Sequence, residues 1–139
     1  MKNPLLLWSL RALFLIVLAS MLFVTSWAST QCPLFAIPAD VLRHPWFIAT
    51  LVDAYWGFVT FYVWAAWKER GGAARALWLV AVLLLGNIAM AVYFLRELFS
   101  LRLDESLDLV FTRRNPGHLR LAGALCAAAG VVYFVAWNS

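Results

Sequence analysis

Residues 12–39 read ALFLIVLASMLFVTSWASTQCPLFAIPA, an uncharged run between Arg11 and Asp40. About 20 apolar residues in a helix cross the ~30 Å hydrocarbon layer of a bilayer, so this run is long enough to hold a membrane span. Working outward, only Asp53 is charged between Arg43 and Lys68, and nothing is charged between Arg75 and Arg96 or after Arg120. Four spans are expected, at about 5–28, 46–67, 76–97 and 119–137. The fold class is then all-α: a polytopic membrane protein, a four-transmembrane-helix bundle forming one integral membrane domain over 1–139.

Composition agrees. Hydrophobic residues make up 65% of the 139 residues and charged residues 13%, against about 45–50% and about 25% in soluble proteins. A water-soluble fold of this size has too much surface to hide that apolar fraction, and a disordered chain would be far more polar. Two cysteines, Cys32 and Cys126, make no disulfide framework. With no Cys/His cluster at zinc-ligand spacing, no metal is expected. The net charge of +4 resides in loops and helix ends. There it suits contact with the anionic headgroups of a lipid bilayer rather than a nucleic acid.

Local signals mark the helix ends. Pro4 and Pro45 suit first helical turns, Gly71 and Gly72 a turn, and Asn115-Pro116-Gly117 a break before the fourth span. Trp27 and Trp46 fall at one interface; Trp8, Trp64, Trp67, Trp78 and Trp137 fall at or near the other, as an aromatic belt. Between spans three and four, Leu103, Leu107, Val110 and Phe111 recur at helical spacing. Acidic Asp104 and Glu105 precede them and basic Arg113 and Arg114 follow. A short amphipathic surface helix is expected at about 103–114, with a solvated loop as the alternative. Lys2 and Arg11 flank the first span on its N-terminal side, which favours both termini in the cytoplasm and, in a bacterium, the inner membrane. The same basic start with Ser26-Trp27-Ala28 fits a cleaved signal peptide as the second reading.

Asp53 is the most informative polar residue. It lies about eight residues past Pro45, hence ~12 Å into the bilayer at 1.5 Å per residue. A charge there costs at least ~2.5–3.5 kcal/mol unless paired or neutralised. Asp53 is therefore either a functional acid, the candidate catalytic residue, or a packing residue satisfied by neighbours. Thr50 shares its helix face. Asn87 on the antiparallel third span is expected at nearly the same depth and is the expected partner, with Gly86 letting the helices approach. Arg11 is expected to snorkel to the headgroups. Toward one face, Arg43, His44, Tyr93, Arg96 and Glu97 could form a polar mouth. An arginine there can clamp a phosphate or carboxylate, and a histidine can shuttle a proton. Ordinary interfacial anchoring is the simpler reading of His44. Gly123, Ala124, Ala127, Ala128 and Gly130 make the last span small-faced, suited to tight packing within the bundle or on a partner.

The run Arg43-His44-Pro45-Trp46-Phe47-Ile48-Ala49-Thr50-Leu51-Val52-Asp53-Ala54-Tyr55 carries a resemblance. With Thr60-Phe61, Lys68-Glu69, Gly86-Asn87 and Tyr93-Phe94-Leu95-Arg96-Glu97, it looks like an uncharacterised family of small membrane proteins from plants and bacteria, domain of unknown function 1475. The likeness runs from about Trp27 to Asn115. More distantly, the span-two Asp, the Lys/Glu turn and the Leu-Arg-Glu end of span three are similar to small proteins grouped with integral-membrane terpene cyclases. This chain lacks the further spans and acidic residues of those enzymes.

Three functions fit the residues. The first is an accessory subunit or a lipid- or isoprenoid-binding module. It would carry no cofactor beyond a bound lipid, quinone or carotenoid, and would pack on a larger membrane complex or into a homo-oligomer. The second is a membrane enzyme on an isoprenoid or lipid substrate, with Asp53 as general acid. The third is an oligomeric transporter.

Overall fold

A computed structural model describes residues 3–138. The described chain is helical throughout: α1 (Pro4–Gln31), a single 3-10 turn (Leu34–Ala36), α2 (Ala39–Leu42), α3 (Pro45–Lys68), α4 (Gly72–Leu85), α5 (Asn87–Ser100), α6 (Asp108–Thr112) and α7 (Arg120–Asn138). Asn3 caps α1, its side chain accepting from the Leu6 N–H at 3.1 Å, with Pro4 in the first turn. The hydroxyls of Ser9, Ser20, Thr25, Ser29 and Thr30 bond back to carbonyls three or four residues earlier. Polar residues so satisfied can face acyl chains without a partner.

Three helices, α1, α3 and α7, are long and apolar enough to cross a membrane. The expected third span, 76–97, is not one helix. It breaks at Gly86 into α4 and α5, and the second helix folds back along the first. The Trp78 and Tyr93 ring centroids lie 4.8 Å apart; on a continuous helix, residues so numbered would stand ~22 Å apart. Arg96 likewise lies over the Trp78 ring, at 5.1 Å. The reason is backbone geometry. Gly86 has φ +52 and ψ −124, a conformation closed to side-chain-bearing residues. Its Cα also faces Phe58 so closely that a Cβ there would sit 2.6 Å from the ring. The glycine expected to ease helix approach does so, and it also reverses the chain.

The α4–α5 hairpin is the packing centre. α1 lies along α5, while α7 and α3 lie along α4. Phe61, Ala65, Trp78, Ala81, Val82, Ala89, Tyr93 and Ala122 form the main core, and Leu7, Leu98, Leu101 and Val110 a second one. These contacts gather the start of α1, the end of α3, both hairpin ends and the start of α7 at one end of the bundle. Every basic residue among the described ones except Arg43 lies at or near that end. At the other end, Phe35 of the 3-10 turn packs its ring on Tyr133 and Trp137 of α7.

Two smaller expectations change. The surface helix at 103–114 shrinks to α6, Asp108–Thr112, because Val110 turns inward onto Leu7, Leu98 and Leu101 while 101–107 forms bends and turns. Arg11 does not snorkel outward. It is 6% exposed and donates to the carbonyls of Leu98 at 2.9 Å and Leu101 at 3.0 Å. It thereby satisfies carbonyls that the end of α5 leaves open.

Candidate functional site

The polar residues that meet are those at the charged end. α3 closes with Lys68, Glu69 follows in extended conformation, and Gly71-Gly72 turns the chain into α4. On α5, Tyr93, Arg96 and Glu97 stand at i, i+3 and i+4, one helix face. Asn115 arrives from the loop before α7 as a backbone staple. Its N–H donates to the Lys68 carbonyl at 2.8 Å, and its own carbonyl accepts from the Arg70 N–H at 3.1 Å. Gly117 makes this approach possible: at φ +85, a Cβ there would come within 2.9 Å of the Gly71 nitrogen.

The side chains close a balanced network of two carboxylates and two cations. Glu69 Oε1 accepts from Arg96 Nη2 at 2.6 Å, Asn115 Nδ2 at 2.9 Å and the Tyr93 hydroxyl at 3.1 Å. Glu97 Oε1 accepts from Arg96 Nη2 at 2.6 Å and Asn115 Nδ2 at 2.8 Å. Glu97 Oε2 pairs with Lys68 Nζ, which also donates to the Val110 carbonyl. Lys68 and Glu69 are fully buried. The Arg96 guanidinium lies over two rings, 4.3 Å from the Tyr93 centroid and 5.1 Å from that of Trp78. Trp78, expected in the interfacial belt, is instead completely enclosed. Two buried polar atoms, Glu69 Oε2 and Trp78 Nε1, have no partner.

Beside this network opens a cleft of about 370 Å³, lined by Arg96, Glu97, Ser100, Arg113, Arg114, Asn115, Pro116, His118 and Leu121. Three arginines line it: Arg96 is paired with Glu69 and Glu97 inside the network, Arg113 is paired with Glu105, and Arg114 has no carboxylate partner. Arg113 is held by Glu105 at 3.2 Å and by the Ser100 hydroxyl at 2.9 Å. Arg114 commits only its Nε, to the Trp67 carbonyl at 3.1 Å. Its two terminal amino groups are left without a protein acceptor, the fork that binds a phosphate or carboxylate in bidentate fashion. Among the described residues no group of His, Cys, Asp and Glu could hold a metal ion.

Of the residues singled out in the sequence, Tyr93, Arg96 and Glu97 belong to this site; Asp53, Asn87, Thr50, Arg43 and His44 do not. Asp53 and Asn87 are both exposed, and neither side chain makes a hydrogen bond or ion pair, so the expected Asp53–Asn87 contact is not formed. The physical reason is the fold-back. Phe58, Phe61, Ala65 and Lys68 turn toward the hairpin, which leaves Asp53 on a different face of α3. The Thr50 hydroxyl bonds its own helix, to the Trp46 carbonyl. Arg43 and His44 are exposed beside α2, at the opposite end from Arg96.

The sequence reading missed Lys68, Glu69 and Asn115 as site members. The signal for Lys68 and Glu69 was present in the resemblance, where the Lys/Glu pair and the Leu-Arg-Glu end stand out together; Asn115 had none. Four antiparallel spans would have kept those two segments on opposite membrane faces.

A family model described as "Protein of unknown function (DUF1475)" matches residues 6–132. No curated protein and no solved structure matches the chain.

Proposed function

The chain belongs to the DUF1475 family of proteins of unknown function, and from its geometry we propose an integral membrane binding module that holds the anionic headgroup of an amphiphile. The observation that carries this reading is the cleft beside the buried network, where the free fork of Arg114 stands with Arg113, Arg96 and His118. The Glu69–Arg96–Glu97–Lys68 pairing holds Arg96 and Asn115 in place, so the cleft is preorganised. Such a site favours a phosphate-bearing lipid or isoprenoid over an uncharged quinone or carotenoid, which would leave the Arg114 fork without an acceptor. Asp53, the expected general acid, stands away from this cleft. Binding is therefore better supported than the enzymatic reading.

The same geometry supports a topology. Three crossings with a hairpin that enters and returns at one face put nearly all basic residues on that face. The positive-inside rule then makes it cytoplasmic, with the N-terminus inside and the C-terminus outside, in place of both termini inside. Irregular backbone such as Gly86 is tolerated at membrane depth where protein encloses it, and Gly86 is buried.

The test is lipid retention by the purified protein, measured by native mass spectrometry against phosphatidic acid and phosphatidylcholine. Phosphatidic acid should be retained preferentially. Arg114→Ala should weaken that preference about tenfold or more, given ~1.5–3 kcal/mol for a hydrogen bond to a charged group, and Arg43→Ala should not. Equal retention of the two lipids, or no effect of Arg114→Ala, overturns the proposal.

A further inference from the structure

The donors on the arginine cleft are unevenly committed. Arg114 spends its Nε on the Trp67 carbonyl, and its guanidinium lies 5.6 Å from the Trp67 ring centroid. Its two terminal amino groups are thus held in place and left open. Arg96 spends Nε and Nη2 on Glu69 and Glu97. Its Nη1 makes no hydrogen bond among the described residues, and the side chain is 23% exposed where it lines the cleft. His118, on the same lining, has no partner among the described residues, and an imidazole offers at least one N–H. The carboxylate on the lining, Glu97, is taken up by Arg96, Asn115 and Lys68. Two more cations stand close by. The backbone N–H of Arg70 donates to the Asn115 carbonyl, and Arg120 follows His118 by two residues at the start of α7. Both are exposed, and neither side chain has a partner among the described residues.

We propose, building on the headgroup reading above, that the cleft takes a terminal phosphate. The Arg114 fork holds two of its oxygens, and Arg96 Nη1 and His118 hold the third. A phosphate monoester presents three strong acceptor oxygens and about −1.5 to −2 charge at pH 7. A phosphodiester presents two free oxygens and one charge, which the Arg114 fork satisfies alone. On a diester, Arg96 Nη1 and His118 would meet an ester oxygen and the alcohol attached to it. The cation of a zwitterionic headgroup would find no open carboxylate on the lining. Arg96 therefore has two tasks. Its Nε and Nη2 close the buried network, and its Nη1 is the specificity-determining donor that distinguishes a terminal phosphate from an esterified one. Because two carboxylates fix the guanidinium, that donor is already in place before the ligand arrives.

Native mass spectrometry of the purified protein with phosphatidic acid and phosphatidylmethanol tests this. The two lipids differ by one methyl group, which turns a phosphate oxygen into an ester. Phosphatidic acid should bind about tenfold or more tightly, the scale of one charge-assisted hydrogen bond. His118 is exposed and bonds nothing in the described chain, so His118→Ala should keep the fold. It should weaken phosphatidic acid about threefold and leave phosphatidylmethanol unchanged, whereas Arg114→Ala should weaken both lipids about tenfold. Glycerol 3-phosphate, added in excess, should leave phosphatidic acid in place. Its displacement of the lipid would keep the terminal phosphate and overturn the amphiphile. Equal binding of phosphatidic acid and phosphatidylmethanol, both above phosphatidylcholine, would overturn the terminal phosphate and keep the anionic headgroup. Equal losses of the two lipids in His118→Ala would overturn the contact to the third oxygen. Three lipids bound alike would overturn both readings.

Discussion

Toward the charged end, α1, α3 and α7 bury Leu7, Arg11, Phe61, Ala65, Lys68, Ala122 and Ala129 against the hairpin. Toward the other end, no residue of α1 after Arg11, of α3 before Phe61 or of α7 after Ala129 is buried. The three long helices have the length a bilayer demands, but the hairpin that packs them reaches only part of the way. The difference shows what a membrane requires of a small fold. Apolar surface left unpacked there is solvated by acyl chains, so van der Waals packing rather than water exclusion decides where helices meet. Polar groups have no such alternative. The charged end therefore builds a closed network, and Asp53, within the apolar stretch of α3 in the other half, makes no hydrogen bond or ion pair among the described residues.

The sharpest way to break this comparison is to open the network. Glu97→Ala leaves Lys68 fully buried with only the Val110 carbonyl, and removes one of Arg96's two carboxylates. An uncompensated buried charge of this kind costs ~3–5 kcal/mol, the largest loss expected anywhere in the molecule. It can be read from denaturant unfolding in mild detergent. The double variant Lys68→Met, Glu97→Leu removes both charges and should recover much of that loss, leaving the Arg96–Glu69 pair intact. A single-variant cost under about 1 kcal/mol, the range of exposed ion pairs, would mean the end is wet and the network ordinary.

Gly86 sets the border between the halves, and its substitution comes next in size. Gly86→Ala meets a positive φ, worth about 1–3 kcal/mol of strain, together with the Phe58 ring 2.6 Å from the new Cβ. Adding Phe58→Leu should return the contact part and leave the backbone part. The combined measurement separates two causes that a single variant would merge. If Gly86→Ala unfolds at the wild-type denaturant concentration, the fold-back does not depend on this glycine.

That border also explains how far the sequence could be read. The apolar runs gave α1, α3 and α7, the three helices long and apolar enough to cross a membrane, and Pro4, Pro45 and the Gly71-Gly72 turn fell at the ends of real elements. The uncharged stretch from Arg75 to Arg96 gave no sign of its break. One glycine among leucines reads equally as a packing contact or a reversal, and only its φ distinguishes them. Reading it as straight put Lys68 and Glu97 on opposite faces of the membrane and aligned Asn87 with Asp53, so one error displaced the site. Tyr93, Arg96 and Glu97 survived because their i, i+3, i+4 spacing groups them whichever way α5 runs. Asn115 could not be found from spacing at all, since a loop delivers it.

The smallest expected effect probes the half that looks empty. There Phe35 sets its ring edge-on to Trp137 at 5.5 Å and tilted to Tyr133 at 6.4 Å. Phe35 and Trp137 are largely exposed, so Phe35→Ala should remove only the aromatic contacts, about 0.5–1.5 kcal/mol. Hydrogen exchange locates that loss. Amides of the 3-10 turn and of the last turns of α7 should exchange up to about tenfold faster, as a local opening. Those of α5 and of the Lys68–Asn115 staple should keep their protection. Equal acceleration at both ends would mean that the bundle opens as a single cooperative unit, with the loop contact supporting the network from the opposite end of the bundle. In that case the thinly packed half would be stabilising the charged end, and the two halves would have to be treated as one.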